Sequence, residues 1–442
     1  MPTTSRLVLA LALGGLTAMG LSAQKPLRDV QQDSLLRNHH IVYVGPDNGA
    51  SLDEGEQRKL LENFYRDQFE NTLLPDAPYF LFMSRSGNMT MGLGGEVKLR
   101  AYYDPGNSIP STGFAPYDIP MERNELNRNC FATTPAGTAL YFRLIGRNRT
   151  LGTYQIYIKA KFNGGDGNDF KLNKAYATVG DWTLGYATAT FSDGAAEPPT
   201  VDDNGSTLSM NYTTLLVRYM HTFKKTGISV AGAVESPKTV FGPSSSEEGK
   251  EVAAARSTIA PDIVAMTQYE WAPGQHVRLS GILRWLPYRD LLNGRNHTPM
   301  GYGLQLSTVF SPIRPVTVYG TLNCGRSYVN NSGDFLLGNY DLVGNASTPG
   351  LMSTLPSWSY LIGVTYRFSP RLFSTVSFGQ ARVTDSNLVD QYKYGLYGGA
   401  NVFYNFTSRF QIGGEFSFGK RVDFDGQSAY GRRLSVMAQF NF

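Results

Sequence analysis

The chain has 442 residues, including 47 Gly, 26 Tyr and 25 Phe, and only 17% of it is charged, against about 25% in ordinary globular proteins. Gly and aromatic residues in this proportion point away from helices and toward strands and turns, and a net charge of +4 excludes nucleic acid as a partner, because the strong basic excess it requires is missing. The mean hydropathy of -0.25 and the lack of long apolar runs past residue 23 exclude spanning helices of roughly 18 apolar residues, but not a transmembrane β-barrel, whose strands alternate lipid-facing with water-facing positions.

Residues 1–23 read as a signal peptide. Arg6 supplies the positive end, Leu7 to Leu16 a short apolar core, and Leu21-Ser22-Ala23 a small-residue cleavage site before Gln24. Residues 24–86 are expected to form an N-terminal periplasmic segment with one amphipathic helix, near Ser51 to Leu73. There Leu60, Leu61, Phe64, Tyr65 and Phe69 recur at three- and four-residue spacing behind the cap-like Ser51. Such a stripe can pair with another helix or lie against a barrel as a solvated leader. Pro75 and Pro78 end the region.

From residue 87 to 442 the dominant signal has period two. Glu96 to Tyr103, Tyr154 to Phe162 and Phe410 to Phe418 each give one apolar and one polar face. The pattern predicts about sixteen strands, starting near residues 89, 137, 151, 169, 181, 208, 226, 258, 276, 300, 315, 357, 371, 392, 409 and 432. Connections alternate between short turns, such as Gly180-Asp181, and long loops, such as Asp104 to Ala136 and Ser327 to Pro356. An all-β chain with these features is a transmembrane antiparallel β-barrel with its turns in the periplasm. Its final strand, Leu434 to Phe442, ends on an aromatic residue and resembles the signal read by the barrel-assembly machinery of Gram-negative outer membranes.

With the apolar face toward lipid, the other face lines the lumen. It carries Lys98, Arg100, Arg143, Arg147, Lys159, Lys161, Lys171, Arg218, Arg278 and Arg284, against the fewer acids Glu96, Glu235, Asp262, Glu270 and Glu415. Such a wall attracts anions; without a net imbalance in the finished pore it would be merely polar. The third long connection, Ser192 to Thr207, is acidic through Asp193, Glu197, Asp202 and Asp203 and is stiffened by Pro198 and Pro199. It is expected either to fold inward as a constriction or to remain a surface loop. Cys130 and Cys324 are a candidate disulfide of an exported protein. No cofactor or metal motif is present, although Asp166, Asn168 and Asp169 could hold calcium or simply form a turn.

Residues Asn173 to Tyr186, Thr190 to Asp193, Glu197 to Asp202 and Ala260 to Ala265 resemble the DcaP-type porins of Gram-negative outer membranes. The likeness runs over about residues 88–442 and is clearest between 169 and 286. It implies a sixteen-stranded homotrimer with a coiled-coil periplasmic segment and a preference for small anionic solutes such as dicarboxylates. Residues 24–86 lack the sustained heptads such a coil uses. The expected function is therefore a passive diffusion porin. The alternatives are a barrel with a structural or adhesive role and a hydrolase built at the barrel rim.

Overall fold

The structure, a computed structural model, describes residues 40–44, 69, 80–85, 88–122, 125–148, 150–163, 169–202, 208, 211–239, 241, 252–328, 341–344, 347–384 and 392–442. The signal peptide and, apart from Phe69, the expected helix lie outside these residues.

The alternating segments form one closed antiparallel barrel of sixteen strands. The first eight are β1 (Met89–Asn107), β2 (Ala139–Asn148), β3 (Gly152–Asn163), β4 (Asp169–Val179), β5 (Trp182–Thr188), β6 (Thr213–Phe223), β7 (Ile228–Glu235) and β8 (Asp262–Ala272). The second eight are β9 (Gln275–Trp285), β10 (Met300–Ile313), β11 (Val316–Arg326), β12 (Pro356–Arg367), β13 (Leu372–Val383), β14 (Tyr392–Asn405), β15 (Phe410–Asp423) and β16 (Ser428–Asn441). Each pairs with its chain neighbours. The cylinder closes where β16 meets β1, from Leu434 opposite Tyr103 to Asn441 opposite Glu96. Gly95 and Phe442 exchange backbone hydrogen bonds of 3.0 and 2.9 Å at the end of that seam.

Alternation decides the faces. In β10, Tyr302, Leu304 and Leu306 are exposed outward while Gln305 and Ser307 are buried inward. A register slip of one residue would turn the whole apolar set into the lumen. Aromatic pairs gather beside the short turns, as in Trp182 with Tyr219 at 5.0 Å, Tyr366 with Phe368 at 4.8 Å and Tyr404 with Phe406 at 4.9 Å. Amphipathic rings are favoured at that level of a bilayer.

Two departures from the sequence expectation have physical causes. Arg128–Thr134, expected as loop, is a strand on the upper half of β1, with Thr134 opposite Arg100. It is separated from β2 by Pro135, which has no N–H for the ladder, and by Gly137 at a φ of 96°. Ahead of the barrel, Phe80–Ser84 pairs antiparallel with β1, and His40–Val44 pairs parallel with Phe80–Ser84. β1 begins below the point where β16 ends, and Phe80–Ser84 covers the edge this stagger would leave open.

The candidate disulfide is not formed. Cys130 and Cys324 are both free: Cys130 lies opposite Asp104 of β1, whereas Cys324 is exposed on β11, on the far side of the cylinder.

Leu306 is at the centre of the outward belt. Leu306→Arg is expected to lower the folding free energy in lipid vesicles by about 2–4 kcal/mol, read as a shift of the urea unfolding midpoint; an unshifted midpoint would place Leu306 off the lipid face.

Candidate functional site

Two long connections fold into the barrel and shape what is left of its lumen. The described part of the β5–β6 connection, residues 189–202 with 208, 211 and 212, belongs to the acidic loop of the sequence. It runs along the inner wall from β9 around to β1, held at each step by a wall residue.

At its start, the Asp193 carboxylate accepts hydrogen bonds from His276 Nε2 at 2.9 Å and Ser307 Oγ at 2.5 Å, and lies 3.6 Å from Arg278. Arg278 Nη1 also donates to the Ser192 carbonyl at 2.8 Å. Burial opposes the ionisation of Asp193, but the charges of Arg278 and His276 and the two hydrogen bonds hold its carboxyl well below the usual carboxylate range. A depressed value means that the anchor is complete above pH 3.8, the ordinary value, and is lost only in stronger acid. Thr190 donates its N–H to Glu235 at 2.7 Å, and Val201 donates to Glu415 at 2.8 Å. Asn401 Nδ2 donates to the Pro199 carbonyl at 2.8 Å. At the far end Asp202 forms an ion pair of 2.6 Å with Arg100.

Close approach to this wall needs residues without side chains. A Cβ at Gly363 would lie 2.5 Å from Pro198, and one at Gly413 would lie 2.7 Å from Phe403 and 3.2 Å from Val201. The β1–β2 connection uses the same device: Phe114 and Ile119 press on Gly419, where a Cβ would come within 2.8 Å of Phe114. This connection is pinned by Arg433, whose guanidinium grips Asp104 bidentately at 2.7 and 2.8 Å and donates to the Thr112 carbonyl at 2.9 Å. Asp202 accepts the Phe114 N–H at 2.6 Å, so the two loops are tied to each other as well as to the wall. In the same connection, burial raises the Asp118 carboxyl above its ordinary value, against the pull of Ser111, Arg421 and Arg433.

The sequence-selected basic residues therefore divide by role. Arg100, Arg143, Arg218, Arg278 and Arg284 are buried, and each is engaged. Arg143 donates to Gln155 at 3.0 Å, Arg218 to the Thr188 carbonyl at 3.0 Å, and Arg284 binds Asp262 and Asp341 at 3.2 and 2.5 Å. Lys98 is nearly buried on β1, and Lys159 and Lys161 are partly open on β3 beside Lys174 of β4. Of these, Lys159 pairs with Glu96 at 3.1 Å. Arg147 and Lys171 are exposed at opposite ends of the barrel, Lys171 with Asp169 at 2.7 Å. Glu197 accepts from Asn211 at 2.9 Å, and Asp203 lies outside the described residues.

The Asp193–His276–Ser307 trio contains the groups of a hydrolase relay, but in the wrong order. The carboxylate binds both partners through one oxygen, so the imidazole does not stand between acid and hydroxyl as a base must. The trio fastens a loop. Among the described residues no cluster of three or more His, Cys, Asp or Glu could hold a metal ion.

The comparisons with known proteins agree with this geometry. Solved structures similar to this chain include the outer membrane channel DcaP of Acinetobacter baumannii, at 18% identity and a TM-score of 0.67 over 82% of this chain and 99% of that one. The chain has the fold of the outer-membrane porins. The anion-selective porin of Comamonas acidovorans matches at 12% identity and a TM-score of 0.51, covering 80% of this chain and 100% of its own. OmpF of Salmonella typhi, solved with daunomycin, matches at 11% and 0.52, over 80% and 98%. No family model and no curated protein matches the sequence.

Asp193→Ala would leave Arg278 without its carboxylate in a buried setting, at a cost of about 3–5 kcal/mol. The folded, heat-modifiable barrel of this variant is expected to be cleaved by protease within residues 189–212, where the unmodified chain resists. Equal resistance would show that Asp193 does not hold the loop.

Proposed function

We propose that the protein is a porin of a Gram-negative outer membrane, a water-filled channel for the passive diffusion of small hydrophilic solutes, with a preference for anions. The observation that carries this reading is the one-sided placement of the inward loop. By lying along β9 to β1, it engages Asp193 and Asp202 as partners of the buried Arg278 and Arg100, and the opening faces β3 and β4. That wall bears Lys159, Lys161 and Lys174, of which Lys159 pairs with Glu96 at 3.1 Å. A cationic wall in a confined aqueous pore raises the local concentration of anions.

These lysines are partly open to the lumen whereas the arginines are buried, and the preference is assigned to the more open groups. Arginines held by Asp202, Asp193 or Asp341 present no uncompensated charge to a passing solute. Small dicarboxylates suit such a wall, and the resemblance to DcaP-type porins points to the same class. Homotrimeric assembly is part of the proposal, as is delivery to the barrel-assembly machinery through β16 and Phe442. The barrel can seat in a bilayer as a single copy, since its outward belt is apolar around the whole circumference.

Purified protein in planar bilayers is expected to give stepwise conductance, in three linked levels for a trimer, with a reversal potential on the anion-selective side. Absence of steps would overturn the channel, and cation selectivity would overturn the preference. Replacing Lys159, Lys161 and Lys174 together by Gln is expected to lower the anion-to-cation permeability ratio without changing the folded barrel's stability. An unchanged ratio would move selectivity away from β3 and β4.

A further inference from the structure

The outward face of β12 to β16 is apolar until a few residues from the long-loop end, where it changes character. There alternation turns three charged side chains outward, Arg382 of β13, Lys420 of β15 and Arg432 of β16, and among the described residues of these strands it turns no acid outward. Arg382 and Lys420 lie near the ends of their strands at Val383 and Asp423, and Arg432 near the start of its own at Ser428. All three therefore stand at the same end of the barrel.

Aromatic rings fill the spaces between them. Arg382 stands in one row with Trp358 of β12 and Tyr394 of β14, its guanidinium carbon 5.4 Å from the Tyr394 ring. Lys420 is opposite Tyr430, its Nζ 5.2 Å from that ring. Arg432 is opposite Phe418, whose ring stacks on Tyr430 at 6.0 Å. Lys420 and Arg432 are thus diagonal neighbours on one face, at a backbone spacing of about 7–8 Å. The next outward pair toward the turns is Phe416 opposite Leu434, both exposed and part of the apolar belt.

The inward arginines of this barrel are held by carboxylates and carbonyls. These three cations are not: among the described residues none forms an ion pair, and Asp423 at the end of β15 is gripped by Arg421 at 2.9 and 3.1 Å. A cation on the lipid face is costly at the midplane and tolerated only near the headgroups. At that level the missing partner is a phosphate, which a guanidinium binds through its fork and an ammonium as a point charge.

The geometry points to a lipid-phosphate site on the outside of the barrel: Arg382, Lys420 and Arg432 bind the phosphates of an anionic lipid of the outer leaflet, whose acyl chains lie on Phe416 and Leu434. Tyr394, Phe418 and Tyr430 pack against the uncharged part of its headgroup. Continuity with the apolar belt is what selects a lipid over free phosphate. The site faces away from the lumen and is independent of what the lumen conducts.

The test uses full-length barrels folded in neutral detergent, checked by heat-modifiable migration and titrated with diphosphoryl lipid A, the bound lipid being counted by native mass spectrometry. Arg382→Gln, Lys420→Gln and Arg432→Gln together are expected to lower the affinity by at least about tenfold, and Lys420→Gln alone by a smaller factor, with single-channel conductance and ion selectivity unchanged. The charge-keeping set Arg382→Lys, Lys420→Arg and Arg432→Lys is expected to retain the lipid, as is Lys224→Gln, Lys225→Gln and Arg371→Gln, which removes as many cations from the short turns. Equal affinity of the first set and the unmodified chain would overturn the site. An equal loss from the short-turn set would reduce the binding to net charge and overturn it too. Equal binding of the dephosphorylated lipid would remove the phosphate from the recognition, and displacement of the lipid by inorganic phosphate alone would reassign the site to the free anion.

Discussion

Everything in this molecule follows from the requirement that β1 and β16 pair. In hydrocarbon an unpaired backbone N–H or C=O has no water to bind, at a cost of several kcal/mol per group. A sheet can satisfy all of them only as a closed cylinder. Closure around sixteen strands makes the interior too wide for wall side chains to fill, so an aqueous lumen follows from strand number. It also staggers the strands, which is why β1 extends below the end of β16 and why the short strand Phe80–Ser84 is drawn onto the exposed edge.

A wide lumen then has to be narrowed, and the protein does this with charge. Removing a guanidinium from water is costly unless a carboxylate and carbonyls replace the lost hydration. Arg433 with Asp104 and Thr112, Arg100 with Asp202, and Arg278 with Asp193 and Ser192 all meet that condition. In each case the replacement comes partly from a loop. The loops are thus held by the need of buried cations for oxygen, and displacing a loop leaves a wall charge unsatisfied.

The architecture was legible because lipid enforces a two-residue alternation that no other environment imposes over strands this long. Leu304 and Leu306 against Gln305 and Ser307 show it in a few residues, and the predicted strand starts lie within five residues of the observed ones. Which inward cations face water was not legible. Arg100 and Lys159 have the same parity and similar neighbours along the chain, and differ only in that a carboxylate from residue 202 reaches the first. Arg433 carries no local mark of its role beyond alternation with Leu434 and Val436, which assigns it inward. The inward fold of the first connection was signalled only by Ile109, Phe114 and Ile119, apolar residues scattered in a Gly- and Pro-rich stretch. Phe69 belongs to the apolar stripe of the sequence, and nothing local distinguishes a ring meant for another helix from one that meets a pair of arginines.

The position of the opening is set by side-chain size around the wall. The inward positions of β12 to β16 include Gly363, Gly379, Gly413, Gly419 and Gly431, each already approached by a loop residue or by another wall group. Those of β2 to β4 carry Tyr141, Tyr157 and Tyr176, whose rings follow one another at 5.9 and 5.5 Å. A loop can lie flat only against the thin half. It therefore packs there and leaves the half that bears the tyrosines clear, so glycines on one side of the barrel set where the opening lies on the other.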